Sequence, residues 1–109
     1  MKSDLITPAE LRKKINNKES ILVLDVRDED KYLSGSLHEE GIETLNIPYL
    51  LMRDEPDQAA IQLKTLPQNS EIITLCTSGN KAQKAAALLR EAGFQAVSLE
   101  GGLTSWKQQ

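Results

Sequence analysis

The sequence predicts an α/β fold in which a central parallel β-sheet is flanked by helices on both faces. Two nearly continuous apolar runs of strand length, residues 21–24 and 72–75, support this prediction. Such runs are typical of strands that are buried on both faces of a parallel sheet. Segments with helical patterns separate the predicted strands, and strands that alternate with helices form sheets of this kind.

The first helix is predicted to begin after Thr7. Thr7 can cap this helix, Pro8 suits its first position, and Glu10 completes a capping box. Leu11 and Ile15 then lie on one face of the helix, since they are four residues apart.

The other elements are predicted from apolar periodicity, turn residues and helix propensity. Asp28 is the expected cap of a short helix, and Gly93 is expected to follow a helix rich in Ala and Leu. Further strands are predicted at residues 44–47 and 96–99; helices are predicted at 28–33, 49–52, 58–66 and 81–92, with a charged loop at 53–57 and a short terminal helix that holds Trp106.

The composition is that of one globular domain, which we expect to span residues 1–109. The chain has one cysteine, so no internal disulfide can form, and a lone thiol favours a reducing compartment. The start of the chain does not resemble a signal peptide, and no stretch approaches the ~20 apolar residues of a membrane span. We therefore expect a cytoplasmic protein with no membrane partner, as a monomer or weak homodimer.

Charge argues against a nucleic-acid partner. The net charge is −3, and phosphate-backbone affinity depends on clustered Lys and Arg. The compact basic group Arg12-Lys13-Lys14 is bracketed by Leu11 and Ile15, and we interpret it as the solvated face of a helix.

The turn after the second buried strand carries the residues that point to chemistry. Ligands of parallel sheets bind at the carboxyl ends of the strands, and Cys76 lies at such an end. The backbone N–H groups of a tight loop before a helix form an anion site, whose field favours a thiolate. Gly79 permits the backbone angles of a sharp turn, and Lys81 adds a positive charge. The candidate loop consists of Thr77, Ser78, Gly79, Asn80 and Lys81.

The chemistry indicated is nucleophilic attack by Cys76, with a negatively charged adduct held by the loop amides. The alternative is that Cys76 is a small apolar residue at a strand end, because free cysteine is often buried. A carboxylate cluster at Asp25, Asp28, Glu29 and Asp30 is interpreted as a strand end followed by an acidic first helical turn, with no metal bound.

Several segments, in the same order along the chain, match the pattern of a known family. They are residues 21–27 ending in Asp25-Val26-Arg27, residues 30–35 with Tyr32 and Gly35, Asn46-Ile47-Pro48, the loop 76–81, and residues 99–103 followed by Trp106. Together they resemble the rhodanese domains over nearly the whole chain. The resemblance implies a rhodanese-like fold with about five parallel strands.

The resemblance also implies an activity. Cys76 would accept a sulfane sulfur from a donor such as thiosulfate or a persulfide, and pass it to cyanide or a thiol. The amides from Thr77 to Lys81 would hold the outer sulfur, with no metal or organic cofactor. Arg27 is expected to pair with a carboxylate, either Asp25 or Glu100, in structural support of the site.

Three departures from the family pattern bear on the activity. Lys81 replaces the Arg found in many single-domain members, and a point charge binds an oxyanion differently from a planar guanidinium. Ala82 replaces a hydroxyl residue, and Gly35-Ser36-Leu37 replaces Gly-His-Ile. The change at Lys81 predicts weaker thiosulfate binding or another donor, and the change at Ala82 predicts the loss of a hydrogen bond that stabilises the persulfide.

Two other functions compete with sulfur transfer. A phosphatase or arsenate reductase of related fold needs five residues between its Cys and Arg, whereas four residues separate Cys76 from Lys81. A rhodanese-like module could instead bind a partner or sense thiols with little turnover.

Overall fold

The computed structural model describes residues 4–66 and 69–108. In this part of the chain, five strands and six helices form the predicted α/β architecture. The strands are β1 (Leu5–Ile6), β2 (Ile21–Asp25), β3 (Glu43–Asn46), β4 (Glu71–Leu75) and β5 (Ala96–Leu99). The helices are α1 (Pro8–Asn16), α2 (Glu29–Leu33), α3 (Tyr49–Asp54), α4 (Pro56–Leu63), α5 (Asn80–Glu91) and α6 (Gly102–Lys107).

All five strands are parallel, in the order β1-β5-β4-β2-β3. The predicted parallel sheet is thereby confirmed. Asp25 at the end of β2 is opposite Leu75 on β4 and Asn46 on β3. The carboxyl ends of these three strands therefore lie side by side at one edge of the sheet. The segments that follow the three strands start at this edge.

A separate apolar core covers each face of the sheet. Ile72 belongs to the core that includes residues of α3, α4 and α5, whereas its neighbour Ile73 belongs to the core with Leu11 of α1 and Trp106 of α6. Side chains alternate between the two faces of a strand. Burial of both faces explains why β2 and β4 have nearly continuous apolar sequences.

The capping box predicted for α1 is confirmed. The Glu10 amide donates to Thr7 Oγ1 at 3.1 Å, and the Thr7 amide donates to Glu10 Oε1 at 3.0 Å. These hydrogen bonds from the Thr7 backbone and side chain lower the pKa of Glu10 from its ordinary value.

The charged loop predicted at 53–57 is wrong. Helix α3 continues through Asp54, and α4 begins at Pro56, so Glu55 alone separates the two helices. Proline suits the first position of a helix, where its missing N–H has no intrahelical partner to lose. The predicted helix at 58–66 accordingly starts earlier and ends at Leu63.

Strand β1 was not predicted, because two residues carry no detectable alternation. Its pairing with β5 is visible only in the fold, where the Ser98 amide donates to Asp4 O at 3.0 Å and the Glu100 amide donates to Ile6 O at 2.8 Å. In the described residues, no helix is long and apolar enough to cross a membrane.

Candidate active site

The turn after β4 holds the thiol of Cys76 at the start of α5. Cys76 is buried, with 4% of its surface exposed, and its Sγ accepts a hydrogen bond from the Gly79 amide at 2.9 Å. Helix α5 begins at Asn80, immediately after this turn. The thiol therefore lies at a helix N-terminus, where the backbone carries partial positive charge.

Gly79 adopts a backbone conformation that allows this turn to close on the sulfur. Its φ angle is +108°, which side chains with a Cβ rarely adopt. A Cβ on this residue would also lie 3.5 Å from the Gly101 amide nitrogen, in ordinary contact. The turn therefore favours glycine mainly through its φ angle.

Four other amides of the turn remain available to a ligand. Within residues 4–66 and 69–108, the backbone N–H groups of Thr77, Ser78, Asn80 and Lys81 donate to no protein acceptor. The first N–H groups of a helix have no intrahelical acceptor. The turn thus has the free donors that an anion at the thiol requires.

Helix α6 holds the outer side of the same turn. The Leu103 amide donates to Cys76 O at 2.8 Å, and the Thr104 amide donates to Thr77 O at 3.2 Å. Gly102, at φ +62°, passes so close that a Cβ would collide with these two carbonyl oxygens. Helix α6 therefore binds the carbonyls of Cys76 and Thr77, while the Gly79 amide of the same turn donates to the thiol.

Asp25 and Arg27 form a buried ion pair beside the turn. Asp25 is fully buried and accepts hydrogen bonds from Arg27 Nη2 at 2.6 Å, Nε at 3.0 Å and the backbone N–H at 3.0 Å. The side-chain hydrogen bonds to Asp25 raise the pKa of the Arg27 guanidinium, and the negative charge of Asp25 acts in the same direction. Because Asp25 neutralises Arg27, that guanidinium supports the site as a paired group.

Of the two carboxylates expected for Arg27, the structure selects Asp25 and leaves Glu100 apart. Arg27 follows β2 and Glu100 follows β5, and β4 lies between these two strands in the sheet. Its side chain is exposed and does not line the cavity at Cys76. The Glu100 backbone amide pairs with β1 through Ile6 O, and a supporting role of its side chain stays a prediction.

Ser36 was noted in the sequence only as a departure from the family pattern. Its Oγ donates to Asp25 Oδ2 at 2.7 Å, on the same oxygen that receives Arg27 Nη2. Ala82, the other small replacement, is fully buried, and its carbonyl accepts from Thr74 Oγ1 at 2.7 Å. The Thr74 bond ties the first turn of α5 to β4.

A cavity of about 240 Å³ opens at the thiol. Residues from two segments line it: Cys76, Thr77, Ser78, Asn80 and Lys81 from the turn and α5, and Arg27, Asp28 and Lys31 from the end of β2 and α2. Sequence reasoning named all of the first group as site residues, but missed Asp28 and Lys31. Helix α2 lies at the site because it follows β2, and β2 is the neighbour of β4 in the sheet.

Comparison with known proteins identifies the family to which this fold belongs. Residues 7–109 match the model of the rhodanese-like domain. The chain belongs to the rhodanese-like domain family. Its similarity to that family therefore extends over every strand and helix after β1.

Two curated relatives have lengths close to that of this rhodanese-like chain. The putative sulfurtransferase YtwF of Bacillus subtilis is 28% identical over 94% of the chain and 88% of the relative. The thiosulfate sulfurtransferase GlpE of Pseudoalteromonas translucida is 33% identical over 84% of the chain and 77% of the relative. Other relatives are longer: the chain spans 21% of the adenylyltransferase and sulfurtransferase MOCS3-2 of Zea mays, at 34% identity.

Solved structures show the same fold. The rhodanese-related protein of Thermoplasma volcanium superposes with a TM-score of 0.74 at 28% identity, over 94% of this chain and 89% of that protein.

Proposed function

We propose that the protein is a sulfurtransferase in which Cys76 carries the transferred sulfur. The observation that carries this proposal is the environment of the thiol: the Gly79 amide donates to Sγ at 2.9 Å, and four further amides of the turn have no acceptor among the described residues. Relatives named sulfurtransferases in the same family support the proposal.

In the first step, the Cys76 thiolate attacks the outer sulfur of thiosulfate. An S–S bond forms to Cys76, the bond between the two donor sulfurs breaks, and sulfite leaves with the electron pair. The product is a persulfide whose outer sulfur is negatively charged. Charge of this kind is stabilised by fixed N–H dipoles, which the turn and the N-terminus of α5 supply.

In the second step, a thiophilic acceptor attacks the outer sulfur. With cyanide, a C–S bond forms, the S–S bond breaks, and thiocyanate leaves as the Cys76 thiolate is restored. This is a covalent two-step scheme in which one nucleophile is used twice. No general base is needed, because Cys76 is a thiolate at the start and at the end of each cycle and no proton is transferred.

The turn is suited to a single sulfur atom rather than a phosphate group. Four residues lie between Cys76 and Lys81. Arg27, the guanidinium that lines the cavity, is bound to Asp25. This combination argues against a phosphatase or arsenate reductase, whose tetrahedral oxyanion requires a wider loop and a free Arg.

A thiol-sensing or binding module is the second candidate. Lys81 is exposed where many members of the family carry Arg, and Ala82 supplies no hydroxyl. Both features are consistent with weaker binding of the donor and therefore with little turnover. Sensing and catalysis differ in whether Cys76 passes its sulfur on in repeated cycles.

Intact-protein mass spectrometry tests the proposal. Thiosulfate is expected to add one sulfur atom to the wild-type chain, and cyanide is expected to remove it with release of thiocyanate. The variant Cys76→Ser should gain no sulfur, since the chain has no other cysteine. Absence of a sulfur adduct with both thiosulfate and polysulfide would refute the proposal; an adduct that cyanide does not discharge would favour the sensing module.

A further inference from the structure

Two lysine side chains at the Cys76 cavity have no carboxylate partner. Lys81 lies in the first turn of α5 and Lys31 lies on α2, and both line the cavity. Neither forms an ion pair with any residue in 4–66 or 69–108. Asp28 is the opposing charge among the described lining residues, because Asp25 already neutralises Arg27. The cavity therefore presents two ammonium groups against one carboxylate.

The position of Lys31 is fixed by the contacts on either side of it. Arg27 Nη2 donates to Gly35 O at 2.6 Å, just beyond the end of α2. Tyr32, the next residue after Lys31, donates from its hydroxyl to Thr44 O at 3.3 Å. Helix α2 is thus tied to both β2 and β3, so the fold holds the lysine backbone at the cavity.

The cavity is small for a metabolite binding site. Its volume of about 240 Å³ is below the ~300–1,000 Å³ of pockets that enclose drug-sized ligands. The cavity therefore fits a small donor better than one of drug size.

Building on the sulfur transfer proposed above, we propose that Lys31 is a specificity-determining residue. Together with Lys81, it selects small donors that carry two negative charges over donors that carry one. In the bound donor, the loop amides stabilise the charge on the sulfur to be transferred, and the ammonium groups stabilise the second charge, on the part that will leave. That part also takes the electron pair of the S–S bond, so thiosulfate releases sulfite as a dianion. Coulomb attraction to an ammonium group is twice as large for a dianion as for a monoanion at the same distance.

Alkylation of Cys76 measures this charge preference without any sulfur transfer. Iodoacetate carries a negative charge and iodoacetamide carries none; with each, a C–S bond forms and iodide leaves. The fraction of Cys76 that is thiolate affects both rates equally, so it cancels in the ratio of the two rates. Only Cys76 is alkylated as a thiol, because it is the sole cysteine of the chain. Lys31→Gln should lower the ratio about threefold, as expected for unit charges several ångströms apart in water-like surroundings.

Two variants control the alkylation experiment. Lys64→Gln makes the same charge change at an exposed residue beside Ala92 and Phe94, outside the Cys76 cavity, and should leave the ratio unchanged. Asp28→Asn removes the opposing charge and should raise the ratio. An equal ratio in Lys31→Gln and wild type would overturn the proposal, as would an equal loss in Lys31→Gln and Lys64→Gln.

Turnover tests the same residue on sulfur donors. Thiosulfate is a dianion and methanethiosulfonate is a monoanion, and each leaves the same persulfide on Cys76. Lys31→Gln should lower kcat/KM for thiosulfate about threefold more than for methanethiosulfonate. An equal decrease for the two donors overturns the role of Lys31 while the sulfurtransferase proposal stands. A wild-type protein that transfers sulfur from neither donor overturns both proposals.

Discussion

Replacement of Gly102 by alanine tests how helix α6 shapes the thiol turn. At φ +62°, an L-residue pays about 1–2 kcal/mol for the left-handed conformation. The new Cβ would also collide with the carbonyl oxygens of Cys76 and Thr77, and overpacking of this kind costs about 1–3 kcal/mol. We therefore expect Gly102→Ala to lower the free energy of unfolding by about 2–5 kcal/mol.

Gly41 offers a matched control for this variant. Its φ angle is +84°, and a Cβ there would have no heavy atom within 4 Å. Gly41→Ala should therefore show the conformational cost alone, about 1–2 kcal/mol. The difference between the variants, about 1–3 kcal/mol, isolates the collision with the turn.

The assay combines stability and sulfur loading. Urea unfolding followed by circular dichroism gives the free energies of unfolding. Displacement of the two carbonyls should also slow persulfide formation in Gly102→Ala by about tenfold to a hundredfold, because small misplacements of reacting groups are costly. Equal stabilities for the two variants, with a normal loading rate in Gly102→Ala, would refute the reasoning.

Three further substitutions test other contacts. Arg27→Met leaves the buried Asp25 carboxylate unpaired and should cost about 3–5 kcal/mol in urea unfolding, against no measurable change for the exposed Arg53→Met. Ser36→Ala removes one hydrogen bond to Asp25 and should cost about 1.5–3 kcal/mol, so a loss below 0.5 kcal/mol would contradict the assigned bond. Thr7→Ala should cost about 1 kcal/mol at neutral pH. Folding lowers the pKa of Glu10, so its contribution is present above the ordinary value of 4.5 and is lost as pH falls through the folded pKa. Thr7→Ala keeps the Thr7 amide, which is the largest cause of this lowering, so the variant should retain most of this pH dependence, and its complete loss would argue against the capping box.

The sequence predicted the elements whose signal is local. Strands β2 and β4 are buried on both faces, so their residues are apolar at nearly every position. The capping box of α1 is contained in four consecutive residues, Thr7 to Glu10. The turn at Cys76 was also predicted, since a strand end, a glycine and a helix start follow one another directly in the chain.

What could not be predicted depends on contacts between distant segments. Strand β1 exists because it pairs with β5, and its own two residues carry no pattern. Lys31 reaches the cavity because β2 and β4 are neighbours in the sheet, an order that periodicity does not reveal. The role of Ser36 likewise depends on its approach to Asp25, 11 residues earlier.

The bonds from α6 to the thiol turn set an order of events during synthesis. A nascent chain that extends only as far as α5 already contains β4, Cys76 and the start of the following helix. It lacks the Leu103 and Thr104 amides, so the carbonyls of Cys76 and Thr77 have no partner from α6. The turn that holds Cys76 is therefore completed only after α6 has left the ribosome, later than the strands and helices that precede it.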